Sequence, residues 1–254
     1  MSDTRLSDLT AALLAAATKA GAHAADAIAV DGRAVSIDVR AGALEQAERS
    51  EGVEIGLRVL IGGRQACVSA SDISARTIAD MAERAVAMAR EAPEDPYAGL
   101  ADPDQIARHW DSAALELEDT SPEPAAAALE RDAREAEAAA LAVAGVTQVQ
   151  SASASYSRRR LHIAATNGFS GGYGRSSRSV SAVAISGEGL SMERDWAAES
   201  RTFQADLPDA ASVGAQAGHR AVERAQPRRP KTGAYPVLFD ERIAGSMIGH
   251  LLAA

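Results

Sequence analysis

Residues 50–72 read S-E-G-V-E-I-G-L-R-V-L-I-G-G-R-Q-A-C-V-S-A-S-D, and their pattern decides the class of fold. Val53, Ile55, Leu57 and Val59 alternate with Glu54, Gly56 and Arg58. A period of two predicts a strand with one apolar face. Gly62-Gly63 follows, two residues able to take the positive φ that a two-residue hairpin turn requires. Ala66, Val68 and Ala70 alternate on the return strand. Ser74 stands where a helix cap belongs, ahead of the apolar stripe Ile78, Met81, Ala82, Ala85, Met88 and Ala89. Pro93 and Pro96 end that helix. The unit is a hairpin followed by a helix. It specifies sheet and core and carries no chemistry of its own.

The chain has 254 residues, room for one large domain or two small ones with real cores. Hydrophobic residues make up 46% but aromatics only 4%, so the core must be built largely from small side chains, with Val, Leu and Ile supplying bulk. A net charge of −9 argues against general binding to nucleic acid or anionic membranes. Cys67 is the single cysteine, which excludes an internal disulfide and a cysteine-built metal cluster. Its place within a strand predicts a small buried hydrophobe rather than a nucleophile. The first residues carry Asp3, Arg5 and Asp8 and no long apolar run, so neither a signal peptide nor a membrane span is expected, and a cytoplasmic location is.

Working outward, Leu6, Leu9, Leu13 and Ala17 predict a first helix, capped by Ser2 or Asp3 and stopped at Gly21. Ile28 and Val30 begin the sheet, Asp31-Gly32 reads as a second hairpin turn, and Val35, Ile37 and Val39 alternate beyond it. Residues 43–49 form a short strand into the opening hairpin. Residues 92–121 change character: Pro93, Pro96 and Pro103 stand among Glu94, Asp95, Asp102 and Asp104. These acids lack the spacing of a calcium loop and read as a solvated connection between two halves. Ser121-Pro122 predicts the cap and first residue of a helix through Leu129, Ala133, Ala136 and Ala140, closed by Gly145. Strands over 146–156 and 158–165 lead to the turn pair Asn167-Gly168, a long run over 169–185, and a turn at Ser186-Gly187-Glu188-Gly189. Leu190, Met192, Arg194 and Trp196 share a face of the returning strand, and a last helix spans about 209–225.

The order helix, strands, helix therefore occurs twice. Ser50-Glu51-Gly52-Val53 is matched by Thr166-Asn167-Gly168-Phe169. The expected class is α+β, with mostly antiparallel sheets, packed helices and an internal duplication. No βαβ alternation with a glycine loop occurs, which disfavours a dinucleotide-binding sheet. The expected organisation is one α+β domain over 1–226, with halves near 1–92 and 121–226. Residues 227–254 then form a linker and the first elements of a C-terminal domain.

Several patterns invite chemistry. Gly168-Phe169-Ser170-Gly171-Gly172 matches G-x-S-x-G, but Gly174, Arg175, Ser176 and Ser177 follow where a nucleophile elbow needs a helix. The five histidines, His23, His109, His162, His219 and His250, show no H-x-x-x-H spacing, so no metal site is read from this chain. Arg158-Arg159-Arg160 with Arg175 and Arg178 makes a basic cluster, either an anion grip or a solvated sheet face. Glu193 and Asp195 share a strand face, as a carboxylate pair or as members of ion pairs. The small residues over 169–181 suit close approach of another backbone, which makes Phe169, Ser170, Gly171, Gly172 and Tyr173 the candidate peptide-binding residues, by strand addition.

At the other end, the basic, proline-rich stretch 226–236 leads to Val237-Leu238-Phe239, and Asp240 caps a helix bearing Ala244, Met247, Ile248 and Leu251 on one face. The pattern E-x-S-x-G-V-x-I-G-L-R-V over 48–59, T-N-G-F-S-G-G-Y over 166–173, M-E-R-D-W over 192–196 and T-G-A-Y-P-V-L-F-D over 232–240 resembles the TldD/PmbA family, and its PmbA (TldE) branch in particular. The resemblance runs over nearly the whole chain in order, against family members that are considerably longer. It implies a two-subunit intracellular peptidase acting on unfolded peptides. It also implies that zinc and the H-E-x-x-x-H motif belong to a TldD-type partner. Here His250 is followed by Leu251 where that motif needs glutamate, and leucine cannot act as a base. No catalytic residue is carried over. The implied role is a non-catalytic subunit, with no cofactor of its own, in an oligomer with a TldD-type subunit. A stand-alone peptide-binding or regulatory module, matching the older label of DNA gyrase modulator, and an independent hydrolase using Ser170 are the alternatives.

Overall fold

A computed structural model describes residues 3–109 and 111–254, with side chains from Arg5 onward. Its elements are α1 (Asp3–Ala20), β1 (Ala24–Arg40), β2 (Ala43–Ile61), β3 (Arg64–Ala70) and α2 (Ala75–Glu91). Then come α3 (Ala126–Leu141), β4 (Val146–Ala165), β5 (Ser170–Ser186), β6 (Glu193–Arg201), α4 (Ala210–Glu223) and α5 (Glu241–Ala253). The six strands make one antiparallel sheet in the order β3-β2-β1-β4-β5-β6. Each half contributes helix, three-stranded meander, helix. The halves join where β1 lies antiparallel to β4, from Asp26↔Ala165 to Val39↔Ala152. The α+β class and the duplication stand as the sequence predicts.

The strands are longer and less interrupted than the sequence suggests. Asp31-Gly32 is not a turn: β1 runs through it, held by β2 on one side and β4 on the other. The turn lies at Ala41 and Gly42, both at positive φ. Residues 43–49 are the first part of one long β2, and 146–165 is one strand rather than two. Ser50-Glu51-Gly52-Val53 lies inside β2, so the counterpart of the Asn167-Gly168 turn is Ala41-Gly42. A ladder on both sides overrides the turn propensity of a single Asp-Gly pair.

All four helices that cover the sheet lie on one face. The buried residues of β1 are Ala25, Ala27, Ala29, Val35, Ile37 and Val39, a single parity. Ile28 and Val30, of the other parity, are only half-buried. The first three belong to a core under α1 and α2 with Ile55, Leu57, Val59 and Met81. The last three belong to a core under α3 and α4 with Leu129, Tyr156, Val180 and Val213. One strand thus feeds two cores. Cys67 lies on the opposite face from its neighbours Ala66 and Val68 and is exposed, which corrects the reading of a buried thiol. Strand periodicity alone sends it outward.

Helix ends follow local chemistry. Ser74 Oγ accepts from Thr77 N–H at 3.2 Å, and Asp209 accepts from Ser212 N–H at 3.2 Å. α3 does not start at Ser121-Pro122. Asp119 captures Ser121 N–H at 2.8 Å, and the helix begins at Ala126. Asp3 lies inside α1, and the alternative cap, Ser2, lies outside the described residues. Leu190 sits in a short 3₁₀ turn before β6, so it does not share the strand face of Trp196.

The alanine-rich composition finds its use between α3 and α4. A Cβ on Gly214 would stand 1.9 Å from Ala136 O, and one on Gly218 would stand 2.9 Å from Ala140 O. The two helices touch backbone to backbone, which only small residues permit. At the far edge, Asp195 is 6% exposed and binds Arg224 at 2.6 Å and Arg242 at 2.8 Å. The Arg242 guanidinium also lies 5.2 Å from the centre of the Trp196 ring. Burial alone would raise Asp195, but the two arginines hold its carboxyl well below the usual carboxylate range.

Gly214→Ala is expected to destabilise the fold by about 2 kcal/mol, although alanine favours helix by ~1 kcal/mol, because the helices must separate. A lower urea midpoint with an unchanged slope would bear this out. Because Asp195 is depressed in the folded state, its contribution is complete above the unfolded carboxylate value of about 3.9 and is lost as pH falls toward the folded value. Asp195→Asn should flatten the fall in stability between about pH 5 and pH 2 relative to the parent chain, measured by urea unfolding at each pH.

Candidate functional site

Two polar regions interrupt the apolar design, and both involve the connection between the halves. Over the middle of the sheet, the α1–α2 pair and the α3–α4 pair leave a gap. Asp31, Arg33, Arg158 and Arg160 project into it from the paired positions of β1 and β4. The connection runs across this gap. Glu118 binds Arg158 at 2.5 Å and Arg160 at 3.2 Å. Glu123 binds Arg49 at 2.5 Å and Arg33 at 3.5 Å. The Arg49 hydrogen bond, foremost, keeps the Glu123 carboxyl below its ordinary range. Asp119 is buried, accepting Gln204 N–H at 2.9 Å and the hydroxyl and N–H of Ser121, and these bonds, the first foremost, lower its pKa. Glu118, Asp119 and Glu123 therefore anchor the end of the connection, while Glu94, Asp95, Asp102 and Asp104 are exposed, as the sequence predicts. The arginine triplet is split by strand alternation: Arg158 and Arg160 face the helices, while Arg159 lies on the other face opposite Arg175. Arg178 is buried beneath α3, donating to Asp132 and to Ser155 O at 2.9 Å.

The second region is the β4–β5 turn. Gly168 takes φ 96°, Gly168 N–H donates to Ala165 O at 3.1 Å, and Asn167 Oδ1 accepts from Phe169 N–H at 3.2 Å. Asn167 also donates its side-chain N–H to Ala101 O at 2.9 Å, tying the turn to the connection. Between them lies a cleft of about 560 Å³ lined by Pro103, Ile106, Arg108, His109 and residues 167–170. The five candidate peptide-binding residues divide here. Phe169 and Ser170 line the cleft. Gly172 sits where a Cβ would meet Leu161 O at 2.2 Å, and Tyr173 is 42% exposed on the opposite face of β5. Gly171 pairs with Ile163 in the ladder.

Ser170 Oγ lies 3.3 Å from His162 Nε2, and His162 Nδ1 lies 2.8 Å from Thr10 Oγ1, which is fully buried on α1. The Thr10 hydroxyl donates to Ser7 O at 2.9 Å, so its lone pairs face the imidazole. Ser170, His162 and Thr10 thus form a chain of polar contacts, and a threonine is neutral and cannot offset imidazolium charge as a carboxylate does. The hairpin closes at Ala165 and Phe169 around a three-residue loop, and this register puts His162 and Ser170 on one face. A two-residue turn at Asn167-Gly168 would put them on opposite faces, so the sequence reading does not bring them together. Thr10 is 152 positions from His162, and nothing in the sequence points to it.

His23 accepts from Gly62 N–H at 3.1 Å, and His250 is exposed on α5. Among the described residues, no three His, Cys, Asp or Glu side chains are arranged to hold a metal ion. No described helix is long and apolar enough to cross a membrane. Glu193 is half-buried and Asp195 is fully engaged by arginines, so the two serve as structural charges rather than as an acid–base pair.

Residues 25–89 match the family model for PmbA/TldA metallopeptidase domain 1, and residues 116–225 match the model for the PmbA/TldA metallopeptidase central domain. The chain is 29% identical over 220 residues to metalloprotease PmbA of Escherichia coli O157:H7, covering 87% of this chain and 48% of that protein. It is 30% identical over 240 residues to a metalloprotease PmbA homolog of Haemophilus influenzae, covering 94% and 52%. It thus spans about half the length of the curated relatives it matches. Its fold resembles that of a Bacteroides thetaiotaomicron protein named as a modulator of DNA gyrase, with a TM-score of 0.85 at 19% identity, covering 99% of this chain and 57% of that one. It also resembles TldE of Thermococcus kodakarensis, with a TM-score of 0.68 at 12% identity, covering 84% and 47%.

Glu118→Ala removes the shared partner of two arginines that face a third. The expected outcome is a loss of about 1–2 kcal/mol in urea unfolding and faster proteolytic cutting within residues 92–125, since these pairs are half-buried and incompletely screened.

Proposed function

The chain belongs to the PmbA/TldD metallopeptidase family, and from that premise we propose that it serves as the non-catalytic subunit of a zinc peptidase assembly acting on unfolded peptides. The observations that carry this reading are the matches to two domains of the family and the His250-Leu251 pair, where the family's zinc motif needs glutamate. The helix that carries His250 places Leu251 next to it, and leucine neither binds zinc nor moves a proton. The partner is then a TldD-type subunit that supplies the zinc and the glutamate. The compartment is the cytoplasm, and neither nucleic acid nor membrane is a partner. The net charge of −9 supports that last part.

In this reading the six-stranded sheet is scaffold, and the cleft beside Phe169 and Ser170 is the part that meets peptide. Its mixed lining, with the apolar Ile106 and Phe169 beside the polar Asn167 and Ser170, supports that use. Residues 227–254 act as a linker and the opening elements of a further domain. Ile243, Met247, Ile248, Leu251 and Leu252 of α5 are exposed, and a covering layer would bury them. The 2.8 Å contact between Thr10 and His162 favours a second reading, a hydrolase using Ser170 with His162 as base.

The two readings separate in one experiment. Zinc content and cleavage of an unfolded casein substrate are measured for this protein alone and with a TldD-type subunit. The expected result is no tight zinc and no cleavage alone, and cleavage only with the partner, not abolished by Ser170→Ala. Cleavage by this protein alone that Ser170→Ala abolishes would establish the second reading. Tight zinc with activity in the absence of the partner would overturn the first.

A further inference from the structure

β2 outruns its neighbour. β3 pairs with Ile55 to Ile61, whereas residues 43–54 pair with β1 alone. The turn at Gly62 makes Ile61↔Arg64 its closing, hydrogen-bonded pair. Bonded pairs alternate along an antiparallel ladder, so the odd-numbered residues of β2 turn their N–H and C=O toward β3. Beyond the reach of β3, the same parity leaves the main chain of Ala47, Arg49, Glu51 and Val53 directed outward. Among the described residues, no backbone hydrogen bond outside the β1 ladder reaches 43–54, and 43–52 are exposed throughout.

The duplication supplies a comparison within the same molecule. β6 pairs with Arg178 to Ser186 of β5, so the start of β5 outruns it in the same way. That edge is occupied. Ser176 N–H donates to Leu117 O at 3.0 Å, Ser176 Oγ accepts from Asp119 N–H at 2.7 Å, and Glu118 packs against Gly174. An extended segment of the connection therefore lines one of two equivalent edges, and the other stands bare.

The bare edge is acidic. Glu45, Glu48, Glu51 and Glu54 lie along it and alternate between its two faces. Glu45 and Glu51 are paired with Arg40 and Arg49, while Glu48 and Glu54 make no ion pair among the described residues. Two copies meeting through this edge would set carboxylate against carboxylate, which disfavours self-pairing. A strand carrying Lys or Arg is matched by it. The geometry points to residues 43–54 of β2 as a strand-addition site for an extended, basic polypeptide segment, independent of any peptidase role.

The test uses the 254-residue chain. Two synthetic peptides of about ten residues are compared, one alternating Lys with Val and one alternating Glu with Val. The Lys peptide is expected to bind, more weakly as salt rises, and to slow hydrogen exchange at the amides of Ala47, Arg49, Glu51 and Val53. Ala47→Pro removes an outward N–H and spares the β1 ladder, and it should weaken binding about tenfold or more. Glu48→Lys combined with Glu54→Lys leaves the main chain intact and should abolish the preference for the Lys peptide. No binding of the Lys peptide, protection outside 43–54, or affinity unchanged in both variants would overturn the site. A concentration-dependent dimer that Ala47→Pro disperses would overturn it too, by assigning the edge to a second copy.

Discussion

The antiparallel ladder between β1 and β4 is the constraint on which the rest of the structure depends. It joins two copies of a helix–meander–helix unit into one sheet and gives β1 a hydrogen-bonded neighbour on both sides. A strand held on both sides satisfies its backbone groups completely, which is why it passes through Asp31-Gly32 without turning. The ladder's register also makes one strand serve two cores. Its first half lies beneath α1 and α2 and its second half beneath α3 and α4.

That arrangement has a cost at the centre of the sheet. Two helix pairs cannot cover its whole length, and the uncovered middle falls on Asp31, Arg33, Arg158 and Arg160. The connection between the halves answers with Glu118 and Glu123, which neutralise arginines drawn from β1, β2 and β4. The same connection supplies one wall of the cleft at the β4–β5 turn and lines the outer edge of β5. A segment that reads as a spacer is thereby the element that closes the seam, shapes the cleft and makes the two halves unequal.

The small-residue composition is consistent with this architecture. Gly214 and Gly218 let α4 rest on the backbone of α3, and Ala133, Ala136 and Ala140 fill the space a larger core would need. Dispersion among many close atoms takes the place of a few large side chains. Arg178, buried beneath α3, is tolerated because Asp132 and the Ser155 carbonyl satisfy it.

Local periodicity and cap chemistry by themselves determined the element order, the β2–β3 hairpin, the caps at Ser74 and Asp240, and the duplication. These depend on neighbours a few residues apart. Periodicity did not place His162 beside Ser170, because that depends on a three-residue loop, closed at Ala165 and Phe169, where the sequence reads a two-residue turn. Only the tertiary structure decided that Asp31-Gly32 stays extended, that Glu118 grips Arg158 and Arg160, and that Thr10 meets His162. Each depends on a partner far along the chain, supplied by a ladder or by a helix crossing the sheet. A neighbour of that kind leaves no mark on local composition, because its effect exists only once the two halves have closed along β1 and β4.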